Sequence, residues 1–208
     1  MTHDNVFPKR ENWVYEILVQ NLFSKGVFSK DDIKLPRKEL LDKVFAYISK
    51  NGFPVTIDHR DDITTQADYF VQNKKYEYAK VFYAMYFEHT LNGLIENECY
   101  KRKFDDKTRL DIIRSVDIYG KLTWLPKLLG YKVFHLNHLK TIKNLADERN
   151  AFVHYKWNTQ PEDTNETDNE KELKENFKKI KAAVKYMKRY EAEILYDGSK
   201  AKIQRALK

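Results

Sequence analysis

Apolar residues in this chain recur three and four positions apart, over run after run, and that spacing most limits what it can fold into. The longest example spans 66–100, "QADYFVQNKKYEYAKVFYAMYFEHTLNGLIENECY", where tyrosines and phenylalanines repeat at helical intervals. It predicts one long helix packed on several sides. Six glycines and five prolines fall mostly between such runs, as helix punctuation does. The chain is therefore expected to be all-α, an antiparallel helical bundle with an extra N-terminal helical unit.

That unit is read from two stretches with the same grammar. "PKRENWVYEILVQNLF" has Pro8 at a first helical position, Trp13, Ile17, Leu18 and Leu22 as its apolar face, and Gly26 beyond its end. "LPRKELLDKVFAYISKNG" has Pro36 near its start, Leu40, Leu41, Val44, Phe45 and Ile48 inside, and Asn51 and Gly52 as the stop. Residues 53–65 read as a connector with a short strand at 55–57. After the long helix come "DKTRLDIIRSVDIYG" as one helix, "LTWLPKLLG" as a shorter one interrupted by proline, and a helix within "YKVFHLNHLKTIKNLADERNAFVHYKW". A polar loop then leads to a last helix over 169–196. The expected organisation is an extension over 1–60, a bundle over 66–196 and a basic tail over 197–208. Gly93, inside the long helix, marks an expected close helix crossing.

At 208 residues the chain can bury a core without staples, and 42% hydrophobic with 14% aromatic residues is too rich for disorder. A single cysteine, Cys99, excludes an internal disulfide. With no apolar leader and no 18-residue apolar run, neither a signal peptide nor a membrane partner is expected, and the expected location is cytoplasmic. The formal net charge is +7. Residues 171–208 carry 12 Lys/Arg against 5 Asp/Glu, so the whole excess lies there. A basic face of that kind suits nucleic acid phosphates, and equally a solvated helix face.

The chemistry concentrates in "ERNAFVHYKW", 148–157. At about 100° per residue, Leu139, Ile142, Leu145, Ala146, Phe152 and Val153 share an arc roughly 140° wide, with Arg149 near its middle. A guanidinium among core-facing residues needs a partner or a site, since an isolated buried charge costs several kcal/mol. Asn150 and His154 are four apart on the flank of that arc, so Asn150 can orient the imidazole, and Asp147 lies on nearly the same line. Arg149 and His154, about 140° apart, straddle the helix rather than stack, and a second copy of the helix across a dimer would close the gap. His135 and His138 are three apart, but no cysteine or carboxylate completes a set, so no metal is expected, and no cofactor motif is present. His89 reads as a packing residue.

The run Arg149, Asn150, three residues, His154, at the end of a long bundle helix and followed by a loop and a last helix, resembles the motif of the HEPN superfamily. "YEYAKVFYAMYFEHTLNGLIE" is similar to the long HEPN helix beside the motif helix. The resemblance covers about 66–196 and leaves the first 60 residues outside. It implies a homodimer with two motifs facing one cleft and, in many members, metal-independent RNA cleavage. His154 would serve as general base or acid, Arg149 would stabilise the phosphorane, and Asn150 would fix the imidazole or a phosphate oxygen. Glu88, on the long helix, would pair with Arg149; it reads equally as a surface glutamate. RNA is the implied substrate, with an antitoxin or defence-system partner. Some HEPN toxins are modified on a tyrosine two residues after the histidine; here that position is Lys156 and the nearest tyrosine is Tyr155, which speaks against that route. Two alternatives stay open: a non-catalytic HEPN module binding nucleotide, RNA or a partner protein, and a plain interaction domain.

Overall fold

The computed structural model describes residues 12–52, 58–154 and 166–207. Every element among them is helical. These are α1 (Asn12–Ser24), a 3-10 turn (Asp32–Lys34), α2 (Arg37–Asn51), α3 (Arg60–Gln72), α4 (Tyr76–Lys101), α5 (Asp106–Ser115), α6 (Ile118–Leu122), α7 (Trp124–Leu129), α8 (Leu136–Val153), α9 (Glu166–Tyr196) and α10 (Lys200–Ala206). The all-α expectation holds. No helix among the described residues is long and apolar enough to cross a membrane. The strand expected at 55–57, the placement of Pro8 and most of the polar loop lie outside the described residues.

The described chain divides into two compact units, a smaller one from within 1–57, 97–104 and 192–208, and a larger one from within 58–96 and 105–191. The smaller unit joins the two ends of the chain. Tyr15, Val19, Leu22 and Phe23 of α1 and Leu40, Leu41 and Val44 of α2 bury against Ile33 of the turn and against Ile203 and Leu207. The sequence reading set 197–208 apart as a basic tail, whereas 200–206 are helical and Ile203 is 0% exposed. Seven residues with one buried apolar position are too short for a helical period to stand out against the flanking lysines. The face of α1 also differs from the expected one. Trp13 and Ile17 are exposed, because the buried line runs through Tyr15, Val19 and Leu22. Gly52 ends α2 at φ 69°, as the stop signal implied.

The larger unit corrects the longest expected helix. It is two helices, α3 and α4, separated by Asn73–Lys75, with Lys74 left-handed at φ 57°. The Lys75 N–H closes the turn on the Phe70 carbonyl at 2.9 Å. Folded back this way, α3 lies antiparallel to α9. Arg60 pairs with Glu191, Asp61 with Lys188 at 2.8 Å and Asp68 with Lys181 at 2.6 Å, rising along one helix and falling along the other. Tyr83, Tyr86 and Phe87 of α4, Ile142 and Leu145 of α8 and Ile180 and Met187 of α9 fill the core. The helix expected over 106–120 is also two. Asp117 accepts the Gly120 N–H at 2.7 Å and starts α6 afresh. A Cβ on Gly93 would meet nothing within 4 Å, so the close crossing expected there is not made.

Two outcomes test the smaller unit. Ile203→Ala should lower unfolding free energy in urea by about 2–4 kcal/mol, a loss that an unpacked tail would not show. Asp32 accepts the Ser29 N–H at 2.8 Å, the Ser29 hydroxyl at 2.7 Å and the Lys43 ammonium at 2.7 Å. The Lys43 bond first, then those from Ser29, hold its carboxyl down at about 2. A depressed carboxyl stabilises the fold above the unfolded value near 4, and that share is lost as pH falls towards 2. Acid titration of stability should therefore separate wild type from Asp32→Asn at pH 5 and bring them together by about pH 2.

Candidate functional site

Helix α8 is fixed on its inner side by buried Ile142 and Leu145, and near its end the Phe152 ring meets Tyr78 of α4 edge-on at 5.7 Å. That packing turns Arg149 towards α4. One guanidinium nitrogen, Nη2, donates to Glu88 Oε2 at 2.9 Å, and Nη1 donates to Asn150 Oδ1 at 2.9 Å. The two charged side chains are 32% and 40% exposed. Arg149 is thus neither swallowed by the core nor loose in solvent: it is paired and open on one side. The partner that its place in the apolar arc demanded is Glu88.

A second pair ties the same two helices. Lys80 lies 2.9 Å from Glu148 and 2.9 Å from Glu77. Burial works against its charge, yet the bonds from Glu148 and Glu77 carry its pKa above the ordinary lysine value. The neighbours Glu148 and Arg149 therefore each grip a residue of α4, with opposite charges.

The rest of the motif is arranged differently from the sequence reading. His154 caps α8 at φ −98°, its N–H bonded to the Asn150 carbonyl at 3.1 Å, and its side chain is exposed. The Asn150 amide serves Arg149 rather than the imidazole, because the adjacent guanidinium takes its oxygen. Asp147 pairs with Lys143 at 2.6 Å, one turn back along the helix. Arg149, Asn150 and Glu88 are thus joined, while the His154 imidazole hydrogen-bonds no described residue. His89 is exposed and does no packing. His138 stacks on Tyr186 at 4.4 Å, and burial, with the charges of His135 and Arg189, pushes its pKa down. Among the described residues no group of three metal-binding side chains occurs.

Two features had no sequence signal. A groove of about 850 Å3 between α4, α8 and α9 is lined by Lys80, Lys140, Glu148, Lys171, Glu172 and Lys179 among others, with both signs of charge. Beside Glu88 a cleft of about 360 Å3 reaches Asn92, Arg114, Asp117 and Lys121. Lys121 looks like any surface lysine in "IYGKL", yet it is 5% exposed. Gly120 makes that burial possible: a Cβ there would sit 2.7 Å from Val116 Cγ1 and 2.8 Å from Trp124 Nε1. Gly120→Ala should accordingly cost about 1–3 kcal/mol in denaturant unfolding, the usual range for overpacking, and an unchanged midpoint would contradict this close approach.

Comparison with protein-family models, with curated proteins and with solved structures found no match.

Proposed function

We propose that this chain is a HEPN-type, metal-independent endoribonuclease, acting as a toxin or antiviral defence effector, with a site formed at a homodimer interface by Arg149, Asn150 and His154. The observation that carries the reading is the partly exposed Arg149, held by Glu88 and Asn150, close in sequence to an exposed His154 at the end of the same helix whose imidazole hydrogen-bonds no described residue. Among the described residues two of the five guanidinium N–H donors are used in this hold, and the rest remain for a phosphate. Substrate charge would thus meet a cation whose orientation is already set.

In the proposed reaction one His154 takes the proton from a ribose 2′-hydroxyl. The oxygen attacks phosphorus, and the bond to the 5′-oxygen breaks. A second His154, from the partner copy, gives its proton to that leaving oxygen, leaving a 2′,3′-cyclic phosphate and a 5′-hydroxyl. Arg149 stabilises the charge on the phosphorane oxygens, Asn150 and Glu88 position Arg149, and Asp147 stays with Lys143 outside the chemistry. An antitoxin or a defence-system protein is the proposed cellular partner, without the tyrosine route that Lys156 disfavours. The second reading, a non-catalytic HEPN module for nucleotide, RNA or a partner protein, draws on a different observation: Asn150 does not orient His154.

Mixed RNA incubated with purified protein in EDTA separates the two. Wild type should cleave, and His154→Ala and Arg149→Ala should each fall by about 100-fold or more, the scale of a lost general base or oxyanion donor. Absence of cleavage by wild type, or cleavage by both variants at the wild-type rate, would sink the enzyme and leave the binding module.

A further inference from the structure

Glu88 faces Arg149 and also the 360 Å3 cleft, and the charges on that cleft are unevenly satisfied. Lys121 lies in its wall, almost fully buried, with its ammonium donating to Asn92 Oδ1 at 2.8 Å. No carboxylate among the described residues reaches it at ion-pair distance. Burial lowers its pKa, and the charges of Glu88 and Asp117 only partly oppose that. A buried ammonium with a neutral partner is costly, so folding alone does not account for it. Arg114 is exposed on the same cleft, and its guanidinium makes no hydrogen bond or ion pair among the described residues. The carboxylates, in contrast, are engaged: Glu88 by Arg149, Asp117 by the Gly120 N–H. Asn92 spends its oxygen on Lys121 and keeps its amide N–H groups.

We propose that this cleft is a phosphate subsite, in which one phosphate group sits between the Lys121 ammonium and the Arg114 guanidinium with the Asn92 amide as a further donor. Glu88 and Asp117 are each held through one oxygen, so the groups without a charged partner on this cleft are the two cations, and with the Asn92 amide they favour an anion. The volume lies at the low end for small-molecule pockets, suited to a nucleotide unit rather than to a folded partner. That the phosphate belongs to an RNA strand rests on the ribonuclease reading; the subsite itself does not. In that reading Glu88 stands between two phosphate positions of one strand, the reacting one at Arg149 and a neighbour at Lys121.

The test is side-chain 15N NMR of Arg114 and Lys121 in the full chain, titrated with inorganic phosphate, a nucleoside 5′-monophosphate and a 2′-O-methyl RNA hexamer that cannot be cleaved. At least one probe should shift both side chains, and Arg114→Ala and Lys121→Met should weaken its binding about tenfold, as loss of one charge-assisted bond does. Tighter binding of the hexamer than of either small probe assigns the subsite to a strand, and the reverse assigns it to free phosphate compounds. Arg114→Ala should leave the melting temperature unchanged, so it decides alone if Lys121→Met does not fold. No shift with any probe, or wild-type affinity in Arg114→Ala, overturns the proposal. Hexamer binding that depends on Arg114, in a protein that cleaves no natural RNA, would leave the subsite standing and remove the ribonuclease.

Discussion

The ion pair between Arg149 and Glu88 is the contact on which the arrangement around α8 turns. Helical geometry carries a guanidinium into an arc of apolar side chains, and the cation is tolerable there only because α4 offers a carboxylate at 2.9 Å. With both groups about a third exposed or more, the pair adds little net stability, about 1 kcal/mol at most. Its consequence is positional. Together with Lys80 and Glu148 it gives α4 and α8 two oppositely signed links, and sliding one helix along the other would break both.

What holds that pair in place is a scaffold of further helices. α3 folds back at Lys74 and is laced to α9 by Arg60, Asp61 and Asp68, so α4 is packed from that side as well. Tyr83 of α4, almost fully buried, donates to Asp68 at 2.7 Å, and burial together with that carboxylate pushes the phenol's pKa up. On the other flank of the Glu88 cleft, the Asp117 cap and the missing side chain at Gly120 let α6 sit close enough to bury Lys121. Acid, base and amide groups around Glu88 therefore come from α4, α5, α6 and α8, none of them adjacent in sequence to all the others.

The helical class and the need for a partner at Arg149 were legible because each follows from one helix and its period. Glu88 could be named as that partner only through the family resemblance, since no periodicity relates 88 to 149. The break at 73–75 was not legible: "QNKKYE" holds neither glycine nor proline, and the aromatic spacing continues across it. Asn150 was read as the support of His154 from their spacing, but the wheel cannot weigh a neighbouring cation that competes for the same oxygen. Lys121 and Arg114 gave no signal, because burial of a lone lysine depends on elements that meet only in three dimensions. The shared core of α1, α2 and α10 escaped for the same reason.

On the proposed reading, a single α8 cannot build the site. Arg149 is turned to α4, His154 ends the helix exposed, and the two lie about 140° apart around its axis, so the partner copy closes the gap and brings the second histidine that the reaction needs. The most direct measurement is subunit mixing: unfold and refold wild-type and His154→Ala protein together in equal amounts and assay RNA cleavage in EDTA. Half of the dimers would then be mixed and carry a single His154, so the account predicts about a quarter of the activity of the same total amount of wild type. About half of that activity, the value for sites complete within one copy, in a sample shown to contain mixed dimers, would contradict a site shared between copies.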